Sequence, residues 1–347
     1  MRTFWDKQPV PQEGVNYERG KEIEKEKKIV EEPMKLPDGF SWKVCSIEEA
    51  HPFLNEHYLS SETSRLKYSL ETLKWAAESP GYENRAIVHD GTQTLIGFIS
   101  SVPTKIRVCE DILNMVQVNF LCIHENFRTM GFVPILMKEM KRISNMKDIW
   151  QGIATAENRI VTPIVKSTYW HRILNVKKLS DIGFYKVTNK TKQKYFEVCG
   201  TSQFRKMQSK DIPRVTKILQ THFKQFKIAP VIDKIWVKHW ILPANSYVND
   251  LDDTFISFYD IPNVKKDESY VINQAYSFYI VGDVYKDAFL IAKNLGYDMF
   301  TTLDIGQCVP NLEKQKFLMG SSSIYYYLFN WLPSSSISLE DIELKLP

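Results

Sequence analysis

At 347 residues the chain is long enough for two ordinary domains or one large one around a continuous core. Hydrophobic residues at 44% and charged residues at 25% match an average globular protein and exclude collagen-like, disordered and disulfide-framework classes. The net charge of +4, from 45 Lys and Arg against 41 Asp and Glu, gives no sign of the basic patch that a nucleic-acid ligand demands. Aromatic residues reach 13%, with 17 Tyr, 19 Phe and 8 Trp, which suits a large apolar cavity or groove as well as a plain core.

Met1 to Gln12 carries Phe4-Trp5 followed by Pro9 and Pro11, which predicts an extended segment whose aromatic pair docks onto the protein. Glu18 to Glu32, dense in Lys and Glu, reads as a solvated linker or exposed helix. Ser46 to Leu59 and Leu70 to Ala77 read as helices, and Leu95 to Val102 and Met115 to His124 as strands. Phe132, Ile135, Leu136, Met140 and Ile143 recur at helical spacing, with Pro134 in the first turn, and a strand follows from Trp150 to Ala156. After the polar stretch Thr188 to Lys194 a helix is expected from Lys210 to about Phe226. Then come strands at Asp253 to Tyr259 and Tyr270 to Val281, a helix at Val284 to Leu295, and a strand at Asp298 to Leu303. A late helix is expected near Ile324 to Asn330, and the alternation of Ile342, Leu344 and Leu346 with Glu343 and Lys345 reads as a half-buried strand ending at Pro347. The order strand–strand–helix–strand thus occurs twice. It is compatible with two similar α/β modules side by side, and a cleft between two such modules is a favoured place for a ligand.

The cysteines at 45, 109, 122, 199 and 308 are odd in number and form no CxxC pair, which favours a reduced chain with structural thiols. No apolar run approaches about 18 residues and no signal-peptide core opens the chain, so a soluble, cytoplasmic protein without a membrane span is expected. The seven histidines show no metal-ligand spacing, and the HExxH, GxSxG, Walker and GxGxxG signatures are missing. The most informative window is Val118 to Pro134, a strand, a short polar loop and a helix start, with Arg128-x-x-Gly131-x-Val133 in the loop. Unpaired amides at such a helix start, a glycine that permits close approach and a fixed guanidinium make a seat for a pyrophosphate. On local grounds an ordinary strand-to-helix turn fits the same residues.

The Arg-x-x-Gly loop resembles the coenzyme A loop of the GNAT acyltransferase superfamily. The longer pattern is similar to one family within it, eukaryotic glycylpeptide N-myristoyltransferase. The matching stretches are Phe4-Trp5-x-x-Gln8-Pro9-Val10-Pro11, Asn119 to His124, Tyr169-Trp170-His171-Arg172, Leu174-Asn175, Lys210 to Pro213, Lys224 to Phe226, His239-Trp240, Ala275 to Tyr279 and Asn330-Trp331. They fall in the family's order along essentially the whole chain.

The resemblance implies an α/β (α+β) fold of two GNAT-like modules related by a pseudo-twofold, forming a saddle-shaped sheet flanked by helices. Residues 1–195 would bind myristoyl-CoA as co-substrate, and 196–347 would form the peptide groove. It implies transfer of a C14 acyl group to an N-terminal glycine amine of nascent or mature proteins, by a monomer with no nucleic-acid partner, no metal and no permanently bound cofactor. Thr3, Phe4 and Trp5 would cover the acyl-CoA. Phe120, Leu121, Cys122, Ile123, Arg128, Thr129, Met130, Gly131, Phe132, Val133 and Pro134 would line its site. The amides of Phe120 and Leu121, exposed by a strand irregularity, would form the oxyanion hole. Thr155 would sit beside the glycine amine, and the terminal carboxylate of Pro347 would act as base. Tyr58, Tyr169, His171, Tyr259, Tyr276 and Ser321 would contact the peptide.

Two departures from the family pattern stand out. Met130 and Gly131 occupy the places of two basic residues in the coenzyme loop, which predicts more reliance on backbone amides. The run Leu59 to Ser64 is shortened and keeps one acid, Glu62, while Ser321 stands in place of an aspartate. Together these predict a weaker demand for a substrate lysine. Leu318 in place of a glycine predicts an altered shape for the loop Lys316 to Ser323. The alternatives are a catalytically weak binder of acyl-CoA or lipidated peptides, and a GNAT enzyme using a shorter acyl donor.

Overall fold

The computed structural model describes residues 2–59, 64–185 and 194–346. The chain divides into two compact units. Unit 1 comprises residues 1–166, 325–337 and 346–347, and unit 2 comprises 167–324 and 338–345. The change from one unit to the other falls at Lys166/Ser167. That change lies inside the strand Val165–Ile173, where composition does not shift.

In unit 1, α1 (Arg2–Trp5) precedes β1 (Phe40–Lys43), α2 (Ile47–His57), β2 (Ser64–Leu66), α3 (Leu70–Ala77), β3 (Glu83–His89), β4 (Leu95–Val108), β5 (Asp111–Ile123), α4 (Phe132–Met146) and β6 (Gln151–Ala156). The order of pairing is β1-β3-β4-β5-β6. Strands β3 to β5 form an antiparallel meander, and β5 runs parallel to β6 through the α4 crossover. Ser46 caps α2 by a capping box with Glu49, which is why that helix starts where it does. The apolar stripe of α4, Phe132, Leu136 and Met140, packs on Ile87, Ile96, Ile99 and Ile123 to form the core.

The chain then passes through β7 (Val165–Ile173) and α5 (Val176–Asp181). The strands that follow are β8 (Arg205–Lys206), β9 (Ile228–Pro230), β10 (Asn245–Val248), β11 (Phe255–Asp260), β12 (Asn263–Lys265), β13 (Val271–Ile272), β14 (Gln274–Val281), β15 (Met299–Leu303) and β16 (Leu318–Phe329). In unit 2 the order is β7-β15-β14-β11-β10-β8. Strands β11 and β14 are antiparallel, the helix Tyr285–Asn294 follows, and β15 returns parallel to β14. The strand–strand–helix–strand motif read from the sequence is therefore present in both units. The unit 2 core is aromatic, built around Phe258, Tyr285, Phe289, Phe300 and Phe317.

Several expectations are corrected. The N-terminus forms a short helix before its prolines, because Pro9 and Pro11 lie beyond the segment they were expected to straighten. Of its two readings, linker or exposed helix, the lysine- and glutamate-rich strap takes the linker form. It is held at intervals, with Glu24 N donating to Asn330 Oδ1 (2.7 Å) and Arg142 Nη1 donating to Glu31 O (2.7 Å). Ile324 to Phe329 is strand, not helix: β-branched and aromatic residues favour the pleated ladder, and Asn330 ends it with φ +56°. Most of Lys316 to Ser323 is likewise β16 rather than a loop. Among the described residues at the end of the chain, 342–346, there is no ladder strand beyond one bridge between Ile342 and Ile228, and Glu343 and Lys345 are buried together with Ile342 and Leu344.

Candidate functional site

Strand β5 carries the irregularity expected at Phe120 and Leu121. Phe98 of β4 pairs with Cys122 and Ser100 with Asn119, so Phe120 and Leu121 both face Ile99. Two residues opposing one define a β-bulge, which leaves part of the ladder unmade and re-aims the strand. Phe120 absorbs the extra residue with φ +53°, a left-handed conformation that a bulky side chain adopts only when its surroundings enforce it. The enforcement is visible. Its ring is 3% exposed and meets Tyr58 (5.5 Å) and Tyr68 (5.8 Å) edge-on.

The bulge coincides with a fork in the sheet. The parallel register of β5 with β6 runs from Met115/Gln151 to Val118/Ala154 and stops. Beyond it β5 continues through Phe120 to Ile123 and β6 through Thr155 and Ala156 without mutual pairing. Thr155 lies one residue past the last pair, half-buried, and its backbone pairs with Tyr326 of β16. Burial pushes the thiol of Cys122, in the same arm, up to about 12, which keeps it protonated at physiological pH.

After β5 a single turn at Glu125–Phe127 leads to Arg128, exposed Thr129 and Met130, and Gly131, the N-cap of α4. Gly131 has φ +78° with open space where a Cβ would stand. No side chain caps α4 and no acid lies in its first turn, so the amides and positive dipole end remain available to an anion. Arg128 is docked, donating from Nη2 to His57 O (3.1 Å) and from Nε to Ile123 O (3.4 Å). Phe132 is buried in the core, whereas Val133 and Pro134 are half-buried.

In α1, Phe4 and Trp5 stack edge-on at 5.0 Å and are half-buried, with Lys138 of α4 5.9 Å over the Phe4 ring. The docking expected of the pair is present. Gln12 Nε2 donates to Trp5 O (2.8 Å), while Trp5 Nε1 is a buried donor with no partner among the described residues. The Thr3 side chain and Pro347 lie outside the described residues, as does Glu62.

Unit 2 gathers most of the remaining candidates. Tyr259 stacks on Tyr276 at 5.8 Å, and Tyr169 meets Tyr276 edge-on at 6.4 Å. His171, two residues from Tyr169 on β7, shares a 3.0 Å hydrogen bond between Nδ1 and Thr301 Oγ1. Burial lowers the His171 pKa to about 4, so the ring is neutral at physiological pH. Ser321 is exposed on β16. Tyr58 belongs to unit 1, where it packs on Phe120.

Two contributors escaped the sequence. Tyr68 braces Phe120, and nothing in its local pattern distinguishes it from core. Gly320 lies so close to β7 that a Cβ would stand 2.7 Å from His171 Nε2 and 2.8 Å from Tyr169 O. A lone glycine in a β-pattern was the available signal of such an approach.

Residues 21–167 match the N-terminal domain and 172–342 the C-terminal domain of myristoyl-CoA:protein N-myristoyltransferase. A glycylpeptide N-tetradecanoyltransferase 2 of Bos taurus is 34% identical over 94% of this chain and 73% of its own length. The Plasmodium falciparum glycylpeptide N-tetradecanoyltransferase is 33% identical over 94% and 89%. The crystal structure of Saccharomyces cerevisiae N-myristoyltransferase with bound myristoyl-CoA superposes with a TM-score of 0.87 at 26% identity, over 95% of this chain and 93% of that one. With both domains matched in order, the chain belongs to the myristoyl-CoA:protein N-myristoyltransferase family.

Proposed function

We infer that this protein is a glycylpeptide N-tetradecanoyltransferase, moving myristate from myristoyl-CoA to the N-terminal glycine amine of its peptide substrates. The observation that carries this reading is the left-handed bulge at Phe120 on the fork of β5 and β6, within a chain that matches the family over both halves. The residues present fit the co-substrate. An uncapped, acid-free helix start suits its phosphates, the unpartnered Trp5 Nε1 offers a donor, and the forked strands offer apolar walls. Burying roughly a dozen methylenes at about 0.8 kcal/mol each favours a C14 chain over a short one.

Unit 1 would hold the acyl-CoA through Thr3, Phe4 and Trp5, the arm Phe120 to Ile123, and the loop Arg128 to Pro134. The amides of Phe120 and Leu121 would take the charge that builds on the thioester oxygen, a contribution of a few kcal/mol. The attacking amine forms the amide C–N bond, the C–S bond breaks, and the N–H proton that the new amide sheds passes to the departing thiolate, which leaves as the thiol of coenzyme A. Only the neutral amine attacks, and such amines titrate near about 7.7–8.0. The Pro347 carboxylate would accept the ammonium proton and Thr155 would orient the amine. Unit 2 would carry the peptide on Tyr169, His171, Tyr259, Tyr276 and Ser321; Tyr58 is a further candidate for peptide contact. Because His171 is neutral, it would contact peptide side chains through hydrogen bonds rather than charge. With Ser321 uncharged, the groove would select weakly for a substrate lysine.

Incubation with C14 acyl-CoA and a glycine-start peptide, read by mass, tests the reading. A gain of one myristoyl group is expected, at a rate far above that with acetyl-CoA. A binder that has lost catalysis would bind acyl-CoA and give no mass shift. Extending the chain by a few residues past Pro347 should lower kcat at least tenfold. Unchanged turnover would remove the carboxylate from its role.

A further inference from the structure

The end of the chain carries a buried ion pair that the reaction does not use directly. Glu343 and Lys345 are 1% and 4% exposed, and Lys345 Nζ lies 3.3 Å from Glu343 Oε1. In an extended segment, residues two apart point the same way, so the pair shares one side while Leu344 occupies the other. Its surroundings in unit 2 are shaped to receive it. Gln307 N donates to Glu343 Oε2 (3.0 Å). That oxygen lies only 1.7 Å from where a Cβ on Gly306 would stand, and Gly306 itself has φ +56°. Lys345 Nζ contacts Cys308 Sγ at 3.9 Å and lies 5.8 Å over the Tyr279 ring. Glu343 N donates to Ile228 O (2.9 Å), and Asp341 pairs with Lys227 (3.1 Å).

Stability does not account for this arrangement, because taking two charges out of water is costly and apolar residues of like volume often serve as well. Register does. Ile342, Leu344 and Leu346 repeat with period 2, so a slip of two residues would put apolar side chains back into apolar sites. Such a slip would carry the chain end about 6.6 Å at ~3.3 Å per residue. Only one register sets Glu343 against Gln307 N in the space that Gly306 leaves.

We propose that the buried Glu343–Lys345 pair is a register lock for the last residues of the chain, and that both act as positioning residues for the terminal carboxylate. The link to catalysis rests on the function proposed above; the lock itself does not. The test is the full-length double variant Glu343→Leu/Lys345→Met. Amide exchange in the C-terminal peptide, thermal stability and the kcat and KM split are measured against the wild type. The lock predicts an unchanged Tm, exchange at Leu344 and Leu346 faster by tenfold or more, and kcat lower by tenfold or more with peptide KM within twofold. Unaltered exchange overturns it. Faster exchange with unaltered kcat upholds the lock and instead removes the terminal carboxylate from catalysis. If the apolar variant does not accumulate, Glu343→Gln/Lys345→Gln, which keeps hydrogen bonding without charge, is read in the same way.

Discussion

The left-handed conformation of Phe120 costs about 1–2 kcal/mol relative to ordinary strand geometry, which its burial between Tyr58 and Tyr68 offsets. Gly131 reaches a similar φ at little cost, and this separates the two readings its loop allowed. Gly131→Ala should destabilise by about 1 kcal/mol, since the added Cβ meets no atom and only the backbone is strained. Gly131→Asp carries the same backbone strain, which its carboxylate at the positive end of the helix partly offsets, so its denaturant midpoint should lie at or above that of Gly131→Ala. An anion seat would then lose affinity, with KM for acyl-CoA rising fivefold or more at unchanged kcat, whereas an ordinary turn would leave KM alone. His171 gives a prediction for pH. Its native pKa of about 4 lies below the roughly 6.5 of an unfolded histidine, so between those values the unfolded chain binds more protons. The contribution is complete above pH 6.5 and is lost as pH falls toward 4, amounting by pH 5 to at most about 2 kcal/mol, and less for the part that water reaches. Denaturation of wild type and His171→Gln at pH 7 and pH 5 checks it: the variant should lose less stability on acidification. Residue types were legible here because motif and chemistry coincide. The neutrality of His171 was not, because it depends on the burial that strand β15 and Gly320 provide.

Strands and helices that stand on a clear local pattern were readable. The stripe of α4 and the β14–helix–β15 crossover repeat what periodicity predicts. The failures share a cause, which is that partners distant in sequence decide the outcome. Ile324 to Phe329 has an apolar run compatible with either state, and the five residue pairs between Tyr325/Ala156 and Phe329/Gly152 make it strand. The tail at 342–345 alternates like a half-exposed strand, yet both its faces are covered. The earlier part of β16 supplies an element-level test. Gly320→Ala would push a Cβ against the Tyr169 carbonyl, which is backbone and cannot rotate aside, and against the His171 ring. The strand must give, so a loss of about 1–3 kcal/mol is expected. Peptide KM should rise while acyl-CoA affinity, which the proposed function assigns to unit 1, should hold. Equal losses of both would show that Gly320 serves folding alone.

At the scale of the molecule, the chain returns to unit 1 after completing most of unit 2, and this is the feature composition could least reveal. Residues 325–337 supply the neighbour of β6 and the anchor of the N-terminal strap. Asn330 N donates to Pro9 O (2.7 Å), its Oδ1 accepts from Glu24 N (2.7 Å), and Gly20 N donates to Leu332 O (2.8 Å). Ending the chain at Tyr195, the boundary that the resemblance implied, would leave β6 without that neighbour and Pro9 and Glu24 without their partners. The exposed edge and the loose strap would cost more than a domain's margin of about 5–15 kcal/mol allows. A 1–195 fragment is therefore expected to lack cooperative unfolding, to lose near-ultraviolet circular dichroism and to bind a hydrophobic dye. The full chain should unfold cooperatively and gain about 2.7 kcal/mol at acyl-CoA concentrations of 100 Kd. A fragment that melted cooperatively and bound acyl-CoA would show that the returning segment is dispensable. Unit 1 would then be a domain of contiguous sequence after all.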